Sequence, residues 1–102
     1  MRIEVLDAAE DDLVAAARFY DAQQPGLGAY FIDALSSDID GLLLHGGAHE
    51  RRYGYHRALA KRFPYAIYYE LADDVIRVYA ILDCRRSPAL LRTRLDPRSG
   101  GE

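Results

Sequence analysis

The chain has 102 residues, of which 50% are hydrophobic and 28% are charged. This length suits one domain and excludes two, so residues 1–102 are expected to form a single domain. One cysteine, Cys84, excludes an internal disulfide. No apolar run approaches the roughly 18 residues of a membrane-spanning helix, and the acidic amino terminus is unlike a signal peptide. We expect a cytoplasmic protein with no membrane partner.

The formal net charge of −3 is unevenly divided along the chain. Residues 1–50 hold two basic and ten acidic residues, a net charge of −8, and residues 51–102 hold eleven basic and six acidic residues, a net charge of +5. Twelve of the thirteen basic residues are arginine, which suits bidentate contacts to phosphate or carboxylate. This half is predicted either to meet an anionic partner or to pair with the acidic helices of its own molecule.

The chain is predicted to begin with a strand and a helix. Residues 2–6 alternate between polar and apolar side chains, which is typical of a short strand. Asp7, with Glu10 three residues later, predicts a capped helix start. Apolar residues then repeat with helical spacing as far as Tyr20, so one stripe of this helix is expected to face the core.

A turn and a second helix are predicted next. Proline and two glycines within residues 23–28 favour a turn. The following helix is predicted to reach about Leu44, where Gly46 and Gly47 supply a left-handed stop. The two helices are expected to form an antiparallel hairpin.

From residue 63 the hydrophobic period changes to two, which predicts a β-hairpin with its turn at residues 72–74. Residues 56–61 are predicted as a preceding strand, and residues 88–95 as a short closing helix with proline in its first turn. One face of the hairpin is predicted to pack on the helices: Phe63, Tyr65, Ile67, Tyr69, Leu71, Ile76, Val78, Ala80 and Leu82.

These elements predict an α+β fold in which an N-terminal strand and a helical hairpin accompany a small antiparallel sheet. The second face of the hairpin is unusually apolar for a solvated surface. It is expected either to be covered by a partner or to remain in contact with water as a tyrosine-rich face. Its predicted members are Ala66, Tyr68, Glu70, Arg77, Tyr79 and Ile81.

Sites for catalysis or cofactors are not indicated. His45 and His49 have a helical spacing, but glycines lie between them, so no metal site is predicted. The carboxylates near Glu10 are explained by the helix start, and Asp73 and Asp74 by a turn. No cofactor is expected. The chemical signal is a basic run with no acidic residue in positions 51–65, joined by Arg85, Arg86, Arg92 and Arg94.

Several motifs together resemble the RelE/ParE superfamily of bacterial toxins over nearly the whole chain. The most specific are the strand motif at residues 62–65 and the Arg-Arg-x-Pro motif at residues 85–88. The others are Asp12-Leu13 with Phe19-Tyr20, Pro25-Gly26-Leu27-Gly28 with Phe31, Arg57-Ala58-Leu59, and Ala66-Ile67-Tyr68-Tyr69.

The resemblance implies a toxin of a type II toxin–antitoxin pair. A cognate antitoxin would wrap the toxin with its carboxyl-terminal segment and bind operator DNA, so this chain would meet that DNA only through the antitoxin. A basic and aromatic surface suits a disordered acidic peptide that folds on binding. We expect the second face of the hairpin and the basic residues to form the antitoxin groove.

The superfamily has two activities. RelE-like members are endoribonucleases that cleave messenger RNA on the ribosome, and their basic positions match Arg57 and Arg86. Three further positions of that site fall on Leu59, Ala66 and Arg92, which do not supply the required groups. The motifs resemble more closely the ParE-like branch, known from plasmid stabilisation systems, which inhibits DNA gyrase by binding.

The prediction is therefore a non-enzymatic gyrase inhibitor. The alternatives are an endoribonuclease that acts on the ribosome and messenger RNA, in which Arg57 and Arg86 would be catalytic, and an inactive or regulatory family member. Nine residues are predicted to contact the target or the antitoxin: Arg57, Lys61, Arg62, Tyr68, Arg77, Tyr79, Arg86, Arg92 and Arg94.

Overall fold

A computed structural model describes residues 1–96 of the chain, and the last six residues of the predicted domain lie outside the described residues. The elements follow one another in this order: β1 Arg2–Val5, α1 Asp7–Gln23, α2 Leu27–Asp40, α3 Leu42–His45, β2 Arg51–Arg52, β3 Tyr55–Leu59, β4 Tyr65–Ala72, β5 Val75–Asp83 and α4 Pro88–Leu95. None of the helices in residues 1–96 is long and apolar enough to cross a membrane.

The strands form one sheet in the order β1-β5-β4-β3-β2. Strands β2 to β5 are antiparallel neighbours, whereas β1 lies parallel to β5, with Arg2 opposite Val75. The α+β class is confirmed. The sheet is mixed and not purely antiparallel, because the edge strand β1 pairs in parallel with β5. From β1 the chain continues into α1, which lies on one face of the sheet.

The helices α1 and α2 pack on one face of the sheet, around Phe31, Leu35 and Ile67, none of which is exposed. Helix α1 begins at Asp7, as predicted, but without the predicted side-chain cap. Leu6 is the N-cap residue, and its carbonyl oxygen accepts hydrogen bonds from the amides of Ala9 and Glu10. The acidic first turn of α1 still suits the positive end of the helix dipole.

The turn between α1 and α2 depends on two glycines. Gly26 has a φ of 92°, which favours glycine. Asp21 Oδ1 accepts from the amides of Gly26 and Gly28, at 2.9 and 3.2 Å. A Cβ atom on Gly28 would lie 2.6 Å from the carbonyl oxygen of Ala17, so the helices can approach this closely only with glycine here. The predicted second helix is divided at Gly41 into α2 and α3.

A β-bulge changes which side chains of β5 face the helices. Tyr68 pairs with Ala80 and Tyr69 with Val78, so Tyr79 is an extra residue in β5. Beyond the bulge the alternation is inverted. The predicted faces are therefore wrong at three positions: Ala80 and Leu82 point away from the helices, and Ile81 points towards them.

The second sheet face is covered in part by α4, whose bounds agree with the prediction. Leu91 and Leu95 of α4 are buried against a cluster that includes Tyr55, Tyr68 and Leu82. Helix α4 is capped by Ser87, whose Oγ accepts from the amide of Leu90 at 3.3 Å. The expectation of an open second face is wrong beneath α4, because the chain supplies its own apolar cover.

Candidate partner-binding surface

Arg57 lies on β3, on the same sheet face as α4, with Tyr68 opposite it on β4. Its terminal nitrogen donates to Glu50 Oε2 at 3.0 Å, and its side chain is 20% exposed. The Nε atom is buried and has no hydrogen-bond acceptor among the described residues. A guanidinium with an unused N–H group is suited to binding a further carboxylate or phosphate oxygen.

Tyr68, predicted as a contact residue, is 1% exposed and lies beneath α4. Burial raises the pKa of its hydroxyl, against the opposing effect of the nearby Arg57. The side chain is therefore a neutral phenol in the second hydrophobic cluster. A partner reaches it only if α4 moves. Tyr79 lies on the same face and contacts Tyr55, with ring centroids 4.9 Å apart.

Three further cations lie where the β3–β4 connection and the end of β5 meet. The amide of Cys84 donates to the carbonyl oxygen of Pro64 at 2.8 Å, which places these two segments side by side. Lys61, Arg62 and Arg86 are exposed here, and none forms an ion pair with another residue of the range 1–96. We call these three residues the cationic end.

The cationic end borders apolar surface. Leu59 on β3 is 60% exposed and Phe19 on α1 is 55% exposed. Phe19 and Arg86 line a cleft of about 240 Å³ between α1 and the end of β5. Arg85 also lines the cleft, but Asp83 occupies its guanidinium through two hydrogen bonds of 2.9 and 2.7 Å. Arg86 is thus the arginine of this pair that is available to a partner.

Three of the nine predicted contact residues are paired within the molecule. Besides Arg57, Arg77 Nε donates to Glu4 Oε1 at 2.8 Å, and Arg94 donates to Asp12 Oδ2 at 2.7 Å. The hydrogen bond from Arg77 lowers the pKa of Glu4. For these three residues the structure therefore shows the second of the two predicted alternatives, pairing with acidic residues of the same molecule.

The nine predicted residues do not form one patch. Asp83 lies six positions after Arg77 in β5, a distance of roughly 20 Å along an extended strand, and Arg86 lies beyond it. Arg92 is exposed on α4, which packs on the second sheet face. The structure brings together Lys61, Arg62 and Arg86, with Arg57 on the neighbouring strand.

Asp12 is a residue that the sequence reasoning explained only as part of a helix start. Its Oδ2 atom accepts from the amide of Ile81 at 3.0 Å as well as from Arg94. Burial raises the pKa of its carboxyl, and the two hydrogen bonds offset this only in part. A signal was present: Asp12 lies between Ala9 and Ala16 on the buried stripe of α1, where a carboxylate needs partners.

This surface differs from the RelE-like cleavage site at three positions. Leu59 places an apolar side chain beside Arg57, Ala66 is fully buried, and Arg92 is a permanent cation. Within the described part of the chain, no cluster of three metal-ligating side chains is present. The surface offers charge and apolar contact, which are features of a binding surface.

Comparison with known proteins defines first the class of protein and then the family. A solved structure described as a chromosomal ParDE TA system from P. aeruginosa matches this fold with a TM-score of 0.70 and 17% sequence identity. The match covers 79% of this chain and 92% of that chain. The fold is therefore of the same class as a chain of that toxin–antitoxin system. No curated protein matches the sequence.

The family follows from a direct match of the sequence. The model of the family described as ParE toxin of type II toxin-antitoxin system, parDE, matches residues 3–88. The match spans most of the chain, so the chain belongs to the ParE toxin family. The resemblance to the RelE/ParE superfamily is confirmed on its ParE side. Membership implies an antitoxin partner.

Proposed function

We propose that this ParE toxin inhibits DNA gyrase in the cytoplasm by binding it through the cationic end, and that its antitoxin neutralises it by covering that surface. The observation that carries the proposal is the arrangement at one end of the sheet. Lys61, Arg62 and Arg86 are exposed without ion-pair partners among residues 1–96, and Leu59 and Phe19 lie at their border. Unpaired arginine beside exposed apolar side chains is typical of interface residues.

The chemistry of the surface favours binding over RNA cleavage. Cleavage through the 2′-hydroxyl requires a group that moves a proton in the transition state. Tyr68 is the phenol nearest to Arg57 in the strand pairing, and it is buried with a raised pKa. Arginine at position 92 does not release a proton near neutral pH. These residues can stabilise negative charge on a partner but do not transfer a proton, and this favours a role in binding over a role in RNA cleavage.

Neutralisation is supported by charge and by the unused capacity of Arg57. An acidic segment of the antitoxin would meet the exposed residues of the cationic end, and it would reach the buried Nε group of Arg57, which has no acceptor among the described residues, only if that side chain moves. Such a segment pays an ordering cost on binding, which the charge-assisted hydrogen bonds offset. The antitoxin and gyrase would then compete for overlapping residues.

The test is a gyrase supercoiling assay with the purified toxin, scored also for trapped cleaved DNA. Arg86→Ala is expected to weaken inhibition about tenfold or more, because an unpaired interface arginine is a frequent hot spot. Arg18→Ala is the matched control, since Arg18 is exposed on α1 outside the cationic end and is expected to inhibit as the unchanged toxin does.

Two results would contradict the proposal. Cleavage of ribosome-bound messenger RNA that Arg86→Ala abolishes would establish the endoribonuclease alternative. Full inhibition by Arg86→Ala would show that the cationic end is not the gyrase-binding surface. If the unchanged toxin affected neither gyrase nor growth when expressed without antitoxin, the chain would not be a toxin.

A further inference from the structure

Glu50, in the loop that precedes β2, forms an ion pair with the guanidinium of Arg57. Its Oε2 atom lies 3.0 Å from Arg57 and 3.5 Å from Arg52. Its carbonyl oxygen also accepts from the Arg57 amide at 3.0 Å. Arg57 is therefore held at both backbone and side chain by one residue of the segment 46–50, which connects α3 to β2.

That segment is fixed to the sheet by a small hydrogen-bonded group. The hydroxyl of Tyr69, a residue with no exposed surface, lies 2.9 Å from the Gly47 amide and 2.6 Å from His49 Nδ1. His56 Nδ1 lies 2.8 Å from the His49 carbonyl oxygen, and its ring stacks on Tyr69 at 5.1 Å. We call Tyr69, His49 and His56 the loop latch.

The proton positions in the latch follow from its partners. A carbonyl oxygen only accepts, so His56 carries a proton on Nδ1. The Tyr69 oxygen accepts from Gly47, and His49 Nδ1 is the acceptor that lies within reach of the hydroxyl proton, so the arrangement that satisfies both groups has Nδ1 unprotonated. Neutral His49 therefore completes the latch. A protonated His49 would present a donor where the hydroxyl needs an acceptor.

We propose that Glu50 is an internal counterion that shields Arg57, and that the loop latch holds it there while His49 is neutral. Acidification then opens the latch, moves Glu50 away and exposes the full guanidinium of Arg57 to an acidic partner. The proposal deepens the proposed function and rests on it for the role of Arg57 as a contact residue.

The surroundings of His49 oppose its protonation. His45 from α3 and His56 from β3 are close, and Asp38 of α2 and Lys61 of the β3–β4 connection line the same small cavity. Asp38 is the one acid among them, and its carboxylate accepts from the Lys61 amide at 3.1 Å. Burial, then the neighbouring histidines, lower the pKa of His49 below its ordinary value of 6.5.

The sign of the pH effect follows from this direction. A histidine whose pKa is lowered by folding stabilises the latched form fully above its ordinary pKa. That stabilisation is lost as the pH falls below 6.5 and through the lowered pKa. The latch is therefore closed at neutral pH and opens on the acid side.

The test uses nuclear magnetic resonance of the full chain between pH 5 and 8. In the unchanged protein the protection factor of the Gly47 amide is expected to fall at least about threefold from pH 7.5 to 5.5, the equivalent of one lost hydrogen bond. The Arg57 Nε–H resonance should shift over the same range, because Glu50 leaves the guanidinium.

Two variants separate the latch from the shield. Tyr69→Phe keeps the ring but removes the hydroxyl, so Gly47 should be unprotected at both pH values, whereas Tyr30→Phe at an exposed tyrosine should behave as the unchanged chain does. Glu50→Gln should shift the Arg57 resonance at neutral pH while Gly47 stays protected.

Protection of Gly47 that does not change with pH, or that survives Tyr69→Phe, would overturn the latch. An Arg57 resonance that ignores both acid and Glu50→Gln would overturn the shield. Neither readout involves gyrase, so failure of the proposed target in the supercoiling assay remains a separate result.

Discussion

At the scale of single residues, the half-buried carboxylate of Asp12 connects elements at a point where backbone pairing is missing. Strand β1 ends at Val5, so beyond Val78 the edge of β5 that faces away from β4 has no strand beside it. The carboxylate of Asp12 takes over that role by accepting from the Ile81 amide, and it also holds Arg94 of α4. One side chain thus connects α1, β5 and α4.

Replacing this carboxylate should destabilise the fold. Asp12→Asn keeps an acceptor for the Ile81 amide but removes the ion pair with Arg94, and we expect it to lower the free energy of unfolding by about 1–2 kcal/mol. Asp11→Asn is the control, because Asp11 is exposed beside it. Urea unfolding measures both variants. Equal midpoints would show that Asp12 contributes no more than a surface residue.

At the scale of elements, α4 depends on tertiary contacts. It has eight residues, too few to be a stable helix alone, and it is held through two buried leucines and Arg94. Leu91 faces the sheet, whereas its neighbour Leu90 is 59% exposed. The pair therefore offers the same substitution at a buried and at an exposed position of one helix.

We expect Leu91→Ala to cost about 2–3 kcal/mol of unfolding free energy and to expose tyrosines of the second sheet face. Leu90→Ala should change stability by less than about 0.5 kcal/mol. Chemical denaturation and near-ultraviolet circular dichroism report the two effects. If both variants matched the unchanged protein, α4 would not be a structural cover.

The elements themselves were predictable because their signals are local. The alternation at residues 2–5, the glycines after Gln24 and Pro88 at a helix start each act within a few positions. The bulge at Tyr79 is set by the pairing of β5 with β4, so strict alternation failed there. Of the site, the exposed Arg86 was predictable, but the partners of Arg77 and Arg94 lie more than seventy positions away in sequence.

At the scale of the whole molecule, the opposite charges of the two halves are only partly neutralised by folding. The pairs Arg77–Glu4, Arg94–Asp12 and Arg57–Glu50 join basic residues of the second half to acidic residues of the first. The cationic end remains outside these pairs. A protein with a net negative charge therefore carries a local positive region, and regions of this kind favour association with acidic surfaces.

This region predicts a salt-dependent association rate with the antitoxin. Raising the salt concentration from about 50 to 500 mM should slow association roughly tenfold, because exposed charges are screened. The double variant Lys61→Ala/Arg62→Ala should have a weaker salt dependence, whereas Arg2→Ala should retain it. Stopped-flow mixing measures the rates. Identical salt slopes for all three proteins would exclude steering by this end.

The parallel pairing of β1 with β5 also determines when the sheet can form during synthesis. Arg2 precedes its partner Val75 by more than seventy positions. During translation β1 cannot pair with β5 until β5 itself has been synthesised. The sheet closes late, after a long stretch of chain has been joined. A product that ends before β5 leaves β1 and α1 without the strand on which they pack, so we expect such a product not to fold.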